Sequence, residues 1–170
     1  MKSIVTFTLL LFASICFSQS EINSIENYLG IYKGKLSIYS EKGKQEIDME
    51  FHFVKTDTLG TYKYTLVYNK QYRNYFLIEK DVLKGKYSID ENNGIKLEAS
   101  VFDNAIYSIF EVQGNLITTT EHFYDTYMDF EIMMTKVSQK TTTGKGTEEI
   151  PEVQNYPVFV AQKARLYKEK

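Results

Sequence analysis

From Gly30 onward the chain repeats one design: seven to ten residues rich in Ile, Val, Tyr, Phe and Thr, then a short cluster of Gly, Asn, Asp or Lys. Nine such runs follow one another, namely Ile31 to Tyr39, Gln45 to Val54, Thr61 to Asn69, Asn74 to Lys80, Lys84 to Asp90, Gly94 to Phe102, Ala105 to Val112, Asn115 to Phe123 and Tyr127 to Lys136. β-Branched and aromatic residues suit a pleated, half-buried surface. Links of mostly two to seven residues leave no room for a crossover helix, so successive runs must pair antiparallel.

The side chains alternate along these runs. Ile47, Met49, Phe51 and Phe53 share one face, and Asp48, Glu50 and His52 the other. Ile95, Leu97, Ala99 and Val101 separate in the same way from Lys96, Glu98 and Ser100, as do Met128, Phe130, Ile132 and Met134 from Asp129 and Glu131. One oily face and one wet face, carried by this many strands, are best hidden by closure. The expected fold is all-β, an antiparallel up-and-down barrel of 8–10 strands with a short N-terminal helix, with a two-sheet β-sandwich as the alternative. Glu41-Lys42-Gly43-Lys44, Glu91-Asn92-Asn93-Gly94, Asp103-Asn104 and Gln113-Gly114-Asn115 supply residues that tolerate positive φ at the turns.

The ends of the chain read differently. Residues 1–18, with Lys2, the apolar stretch Ile4 to Phe17 and then Ser18-Gln19-Ser20, have the three parts of a secretory signal peptide. Export to the periplasm or the medium follows as the expected localisation, and cleavage after Ser18 leaves a mature chain without cysteine. Cys16 offers a less favoured reading as a lipid-attachment site, because Ile15 stands where a lipobox wants a small residue. Glu21 to Leu29 can make one or two helical turns, capped by Asn23 or Ser24, with Ile22, Ile25 and Leu29 inward. The barrel domain is expected over 19–137. Residues 138–156, polar and containing Pro151, form a flexible linker or loop. Residues 157–170 end the chain as a last strand through Val158-Phe159-Val160 or as a short helix through Ala161 to Arg165.

Composition removes several functions. Loss of Lys2 leaves 22 acidic residues in slight excess over the basic ones, only Arg73 and Arg165 are arginines, and no basic run tracks a phosphate backbone, so no nucleic-acid partner is expected. Beyond the leader no stretch approaches the roughly 20 apolar residues of a membrane helix. There is no Gly-x-Ser-x-Gly, no Gly-rich phosphate loop and only two histidines to act as bases. No catalytic residue and no cofactor is therefore assigned.

Tyr28-Leu29-Gly30-Ile31-Tyr32-Lys33-Gly34, a helical lead-in followed by Gly-x-aromatic at the first strand, resembles the opening of calycin barrels: lipocalins, fatty-acid-binding proteins and nitrobindin-like haem barrels. The family's aromatic is normally Trp; this chain places Tyr32 there and has no Trp. The resemblance implies that Tyr32 packs across the barrel floor, that a late arginine, for which Arg165 is the candidate, stacks on it, and that the interior takes a small apolar or amphipathic molecule.

Four features are candidates for chemistry. His122, in Glu121-His122-Phe123-Tyr124-Asp125 with Asp129 nearby, is a lone candidate for a metal or haem-iron ligand, against an ordinary histidine. His52 alternates with Asp48 and Glu50 and reads as a surface residue. Asp90-Glu91-Asn92-Asn93-Gly94 could hold Ca²⁺ or supply an acid pair, but a tight turn explains the same residues. The 14 tyrosines, among them Tyr62, Tyr64, Tyr68, Tyr72, Tyr75, Tyr87 and Tyr107, suit a pocket lining, a protein-binding surface or plain strand composition. Three functions remain open: a small-ligand binder lined by Tyr32, Phe51, Phe53, Tyr64, Leu66 and Phe130; a secreted or envelope protein-interaction module with a solid core; and a carboxylate-based hydrolase.

Overall fold

A computed structural model describes residues 25–170. The signal-peptide reading of residues 1–18, Cys16 and the first part of the N-terminal lead-in lie outside the described residues. The lead-in that is described, Ile25–Tyr28, is one turn of 3-10 helix with Ile25 buried.

All nine runs are strands: β1 (Gly30–Ser40), β2 (Gly43–Lys55), β3 (Thr61–Tyr68), β4 (Gln71–Asp81), β5 (Lys86–Asp90), β6 (Lys96–Phe102), β7 (Ala105–Val112), β8 (Asn115–Phe123) and β9 (Tyr127–Lys136). Each pairs antiparallel with the next. Two short strands, β10 (Thr141–Thr143) and β11 (Val153–Asn155), then pair only with each other. The segment that sequence left between strand and helix is strand β12 (Val158–Lys168), which inserts between β9 and β1 and closes a ten-stranded barrel. The wall thus takes in residues far beyond 137, and the stretch between 138 and 156 is an excursion from it. The sandwich alternative is excluded, because β12 leaves the main sheet no free edge.

Turn chemistry follows the sequence. Gln113 and Gly114 both have positive φ, 50° and 74°, as a two-residue hairpin requires, and Asn69 and Lys70 do the same at 46° and 66°. Gly34 serves another purpose: a Cβ there would sit 2.5 Å from the Arg165 carbonyl oxygen, so a side chain would push β1 away from β12.

Strict alternation decides what fills the interior. Tyr32 and Leu36, Met49, Phe51 and Phe53, Tyr62, Tyr64 and Leu66, and Leu77 on successive strands all belong to one buried cluster. Lys33 with Glu50, Lys163 with Glu131 and Lys35 with Asp48 pair across strands on the outer wall, where exposed ion pairs contribute little.

Candidate functional site

The barrel has two unlike ends. At the end covered by the 3-10 turn, Phe123 lies among Tyr28, Tyr32, Phe51 and Phe53, with ring centroids 5.3 to 6.1 Å away. The Tyr32 hydroxyl donates to the Tyr28 carbonyl at 2.6 Å, and burial pushes its pKa up to about 12. Lys55 Nζ donates to both Glu26 carboxylate oxygens, and Tyr62 gives its hydroxyl proton to Glu79 at 2.8 Å. This end is a packed floor.

Tyr32 therefore does cross the floor, but Arg165 does not stack on it. Alternation along β12 sends Ala164 and Leu166 inward and Arg165 out, where its Nε and Nη2 each donate to Asp129 at 2.8 Å and its guanidinium lies 4.4 Å from the Tyr127 ring centroid. Lys168, in register with Tyr32, takes the expected place, its Nζ 5.7 Å from that ring's centroid.

The other half is hollow. A cavity of about 230 Å³ is lined by Tyr64, Leu66, Ile89, Leu97, Ile117, Phe130 and Ile132, with Tyr68, Arg73, Tyr75, Glu91 and Gln162 among its polar lining. Leu66 and Phe130 supply apolar wall and Tyr64 an aromatic face with a hydroxyl, so three of the six expected lining residues meet here. Tyr32, Phe51 and Phe53 do not line it, because their register puts them in the floor.

The residue that sequence reasoning missed is Glu121. On β8 the inward series is Ile117, Thr119, Glu121, Phe123, which places a carboxyl on the oily face. Its exposure is 0%, and among the described residues no donor meets hydrogen-bond geometry with either carboxylate oxygen. Burial raises its pKa from 4.5 to about 8, while the nearby Tyr64 hydroxyl and its own backbone N–H pull the other way. Tyr64 is pushed well above the ordinary phenol value, chiefly by burial and then by the Glu121 charge. The Ser108 hydroxyl, also lining the cavity, is a second buried polar group without a partner among the described residues. The signal was available in the strand period: Glu121 breaks the apolar face of its own run.

The other candidates lie outside the cavity. His122 alternates with inward Glu121 and Phe123, hydrogen-bonds Asn104 Oδ1 at 3.0 Å and stacks on Tyr124 at 4.8 Å, so it does not face the barrel interior. Its neighbour Asp129 is held by Arg165. Among the described residues no three His, Cys, Asp or Glu side chains converge as a metal site would need. His52 lies on the outer wall, 2.7 Å from Glu50 Oε2. Asp90 to Gly94 form a turn in which Asp90 Oδ1 accepts from the Asn92 N–H and Asn93 Oδ1 from the Ile95 N–H. Of the tyrosines, Tyr62, Tyr64 and Tyr87 are buried, Tyr68 and Tyr75 line the cavity, and Tyr72 and Tyr107 are exposed on the outside.

No family model matches the chain, and no curated protein does so. Among solved structures it is similar to a protein of unknown function from the DUF3598 family of Nostoc punctiforme PCC 73102, with a TM-score of 0.61 at 8% identity. The match covers 85% of this chain and 49% of that one, so this chain spans about half the length of its neighbour. At that identity the likeness concerns the fold: a closed antiparallel barrel compatible with the calycin architecture. No helix among the described residues is long and apolar enough to cross a membrane.

Proposed function

We propose that this protein is an exported carrier or sensor that binds a small apolar or amphipathic molecule inside its barrel. The observation that carries the reading is the cavity itself: one half of a closed barrel is filled by aromatic rings, and the other holds about 230 Å³ of unfilled space between apolar walls. Close-packed interiors do not keep such a volume without cost, since each residual void forfeits packing energy. An engineered cavity of about 150 Å³ holds one benzene, so this one suits a single ring with a short arm rather than a long acyl chain.

Titration of isotope-labelled protein with indole is the test. Resonances of Tyr64, Leu66 and Phe130 should move while those of Tyr32 and Phe51 stay, and Leu66→Trp, folded by circular dichroism, should abolish the response. Unmoved cavity resonances at millimolar indole would overturn the reading.

A second reading, a protein-interaction module, draws on the outer wall. Phe102, Tyr107 and Ile109 are exposed on β6 and β7, with Ile109 68% accessible, and exposed apolar groups of this kind can mark docking surfaces. Co-purification from the native host, lost in Ile109→Lys but kept in Leu66→Trp, would favour it over the first.

A further inference from the structure

The proposal that follows rests on the small-ligand reading and names the ligand's chemistry. A fully buried carboxyl with both oxygens unpartnered is costly, because a charge or polar group taken from water must regain its interactions inside the protein. Glu121 regains almost none. Among the described residues no cation acts on it, and its ionised form is favoured by the Tyr64 hydroxyl and its own backbone N–H alone. Arg73, the one cationic side chain lining the cavity among the described residues, is exposed, and its charge is felt by Tyr68 and Tyr75.

The missing partner has a definable shape. Ile106 pairs with Glu121 and Ser108 with Thr119, so Ser108 and Glu121 are diagonal inward neighbours on β7 and β8. Diagonal side chains stand roughly 7–8 Å apart at the backbone, a gap that one nitrogen placed between their oxygens can bridge. Both unpartnered groups can accept hydrogen bonds, and an ammonium donates up to three. Around them, Tyr64, Tyr68, Tyr75, Phe110 and Phe130 offer aromatic faces, which attract cations and stack on rings.

We propose that the cavity binds a small organic ammonium ion of the aryl-alkylamine type, its nitrogen held by the Glu121 carboxylate and Ser108 Oγ and its ring against the aromatic wall. A carboxylate ligand meets Glu121 as a like charge, and a purely apolar ligand leaves both polar groups unpaired. Glu121, with its pKa raised to about 8, carries a proton near neutrality in the free protein. An incoming ammonium favours the carboxylate, so that proton is released to solvent on binding. The other titratable or charged groups lining the cavity among the described residues are Tyr64, Tyr68 and Tyr75, which burial pushes above the ordinary phenol value, and Arg73 and Glu91.

Calorimetry at pH 7 with 2-phenylethylamine, ethylbenzene and 3-phenylpropionate, in two buffers of different ionisation enthalpy, tests it. The amine should bind at least tenfold tighter than ethylbenzene and release close to one proton, and its affinity should rise between pH 6 and 8. In Glu121→Gln the amine should lose that advantage while ethylbenzene affinity stays within about twofold. Ethylbenzene binding as tightly as the amine in the natural protein would refute the ammonium proposal and leave the small-ligand reading intact. Preference for 3-phenylpropionate would refute it in favour of an anion held at Arg73. Binding of none of the three would remove both proposals, and the natural protein decides this even if the variant fails to fold.

Discussion

The two halves of the barrel are built from the same strands and the same alternation, yet one is tiled with rings and the other is left open. In the floor the rings of Tyr28, Tyr32, Phe51 and Phe53 surround Phe123, and the buried phenols of Tyr32 and Tyr62 donate to the Tyr28 carbonyl and to Glu79. In the hollow half, inward positions include Glu121 and Ser108, whose side-chain oxygens meet no partner at hydrogen-bond geometry among the described residues. The floor's side chains are spent on stability, whereas the hollow half gives up stability for an interior that a guest can complete.

The sharpest way to break that contrast is to titrate it. Glu121 has its folded pKa raised, so the folded state binds the proton more tightly than the unfolded chain. Its contribution is fully present below about 4.5 and is lost as pH rises to about 8. Relative to Glu121→Gln, the natural protein should lose about 1.4 kcal/mol of stability per pH unit across that window, read by urea denaturation at stepped pH. Parallel curves for the two proteins would mean that Glu121 is solvated and that the hollow half is not dry.

Next in size is the floor. Phe123→Ala removes the ring shared by Tyr28, Tyr32, Phe51 and Phe53 and should cost about 3–5 kcal/mol, with a matching fall in thermal midpoint. A loss below 1 kcal/mol would show that the floor is no better packed than the cavity. Tyr32→Phe keeps the ring but strands the Tyr28 carbonyl, so a loss of about 1 kcal/mol is expected. The smallest effect belongs to the surface: Arg165→Ala, which breaks an exposed pair with Asp129, should change stability by less than about 1 kcal/mol and leave indole binding untouched.

How far the site could be read in advance depended on the kind of signal each residue gives. Tyr64, Leu66 and Phe130 were legible because an alternating strand declares which residues share a face. Tyr32, Phe51 and Phe53 share the same face and the same chemistry, and their sequence does not say at which height along the barrel axis they sit. That height depends on the stagger of ten strands around a closed wall. His122 drew notice as a rare residue type, although its parity with Glu121 and Phe123 already turned it outward. Arg165 was chosen over Lys168 for its guanidinium, while the register of β12 against β1 sets Lys168 beside Tyr32.

The amino-acid order alone determined that this chain would form successive antiparallel ribbons with one oily face, since period-two alternation and links too short for crossovers permit little else. Tertiary structure decided the rest. A final strand, arriving after an excursion of some twenty residues, shuts the barrel, and only that long-range pairing brings Glu121 and Ser108 on one wall within a shared hollow with Tyr64 on the opposite one. Local pattern governs faces because it acts between neighbours, whereas a cavity is a property of how distant strands meet.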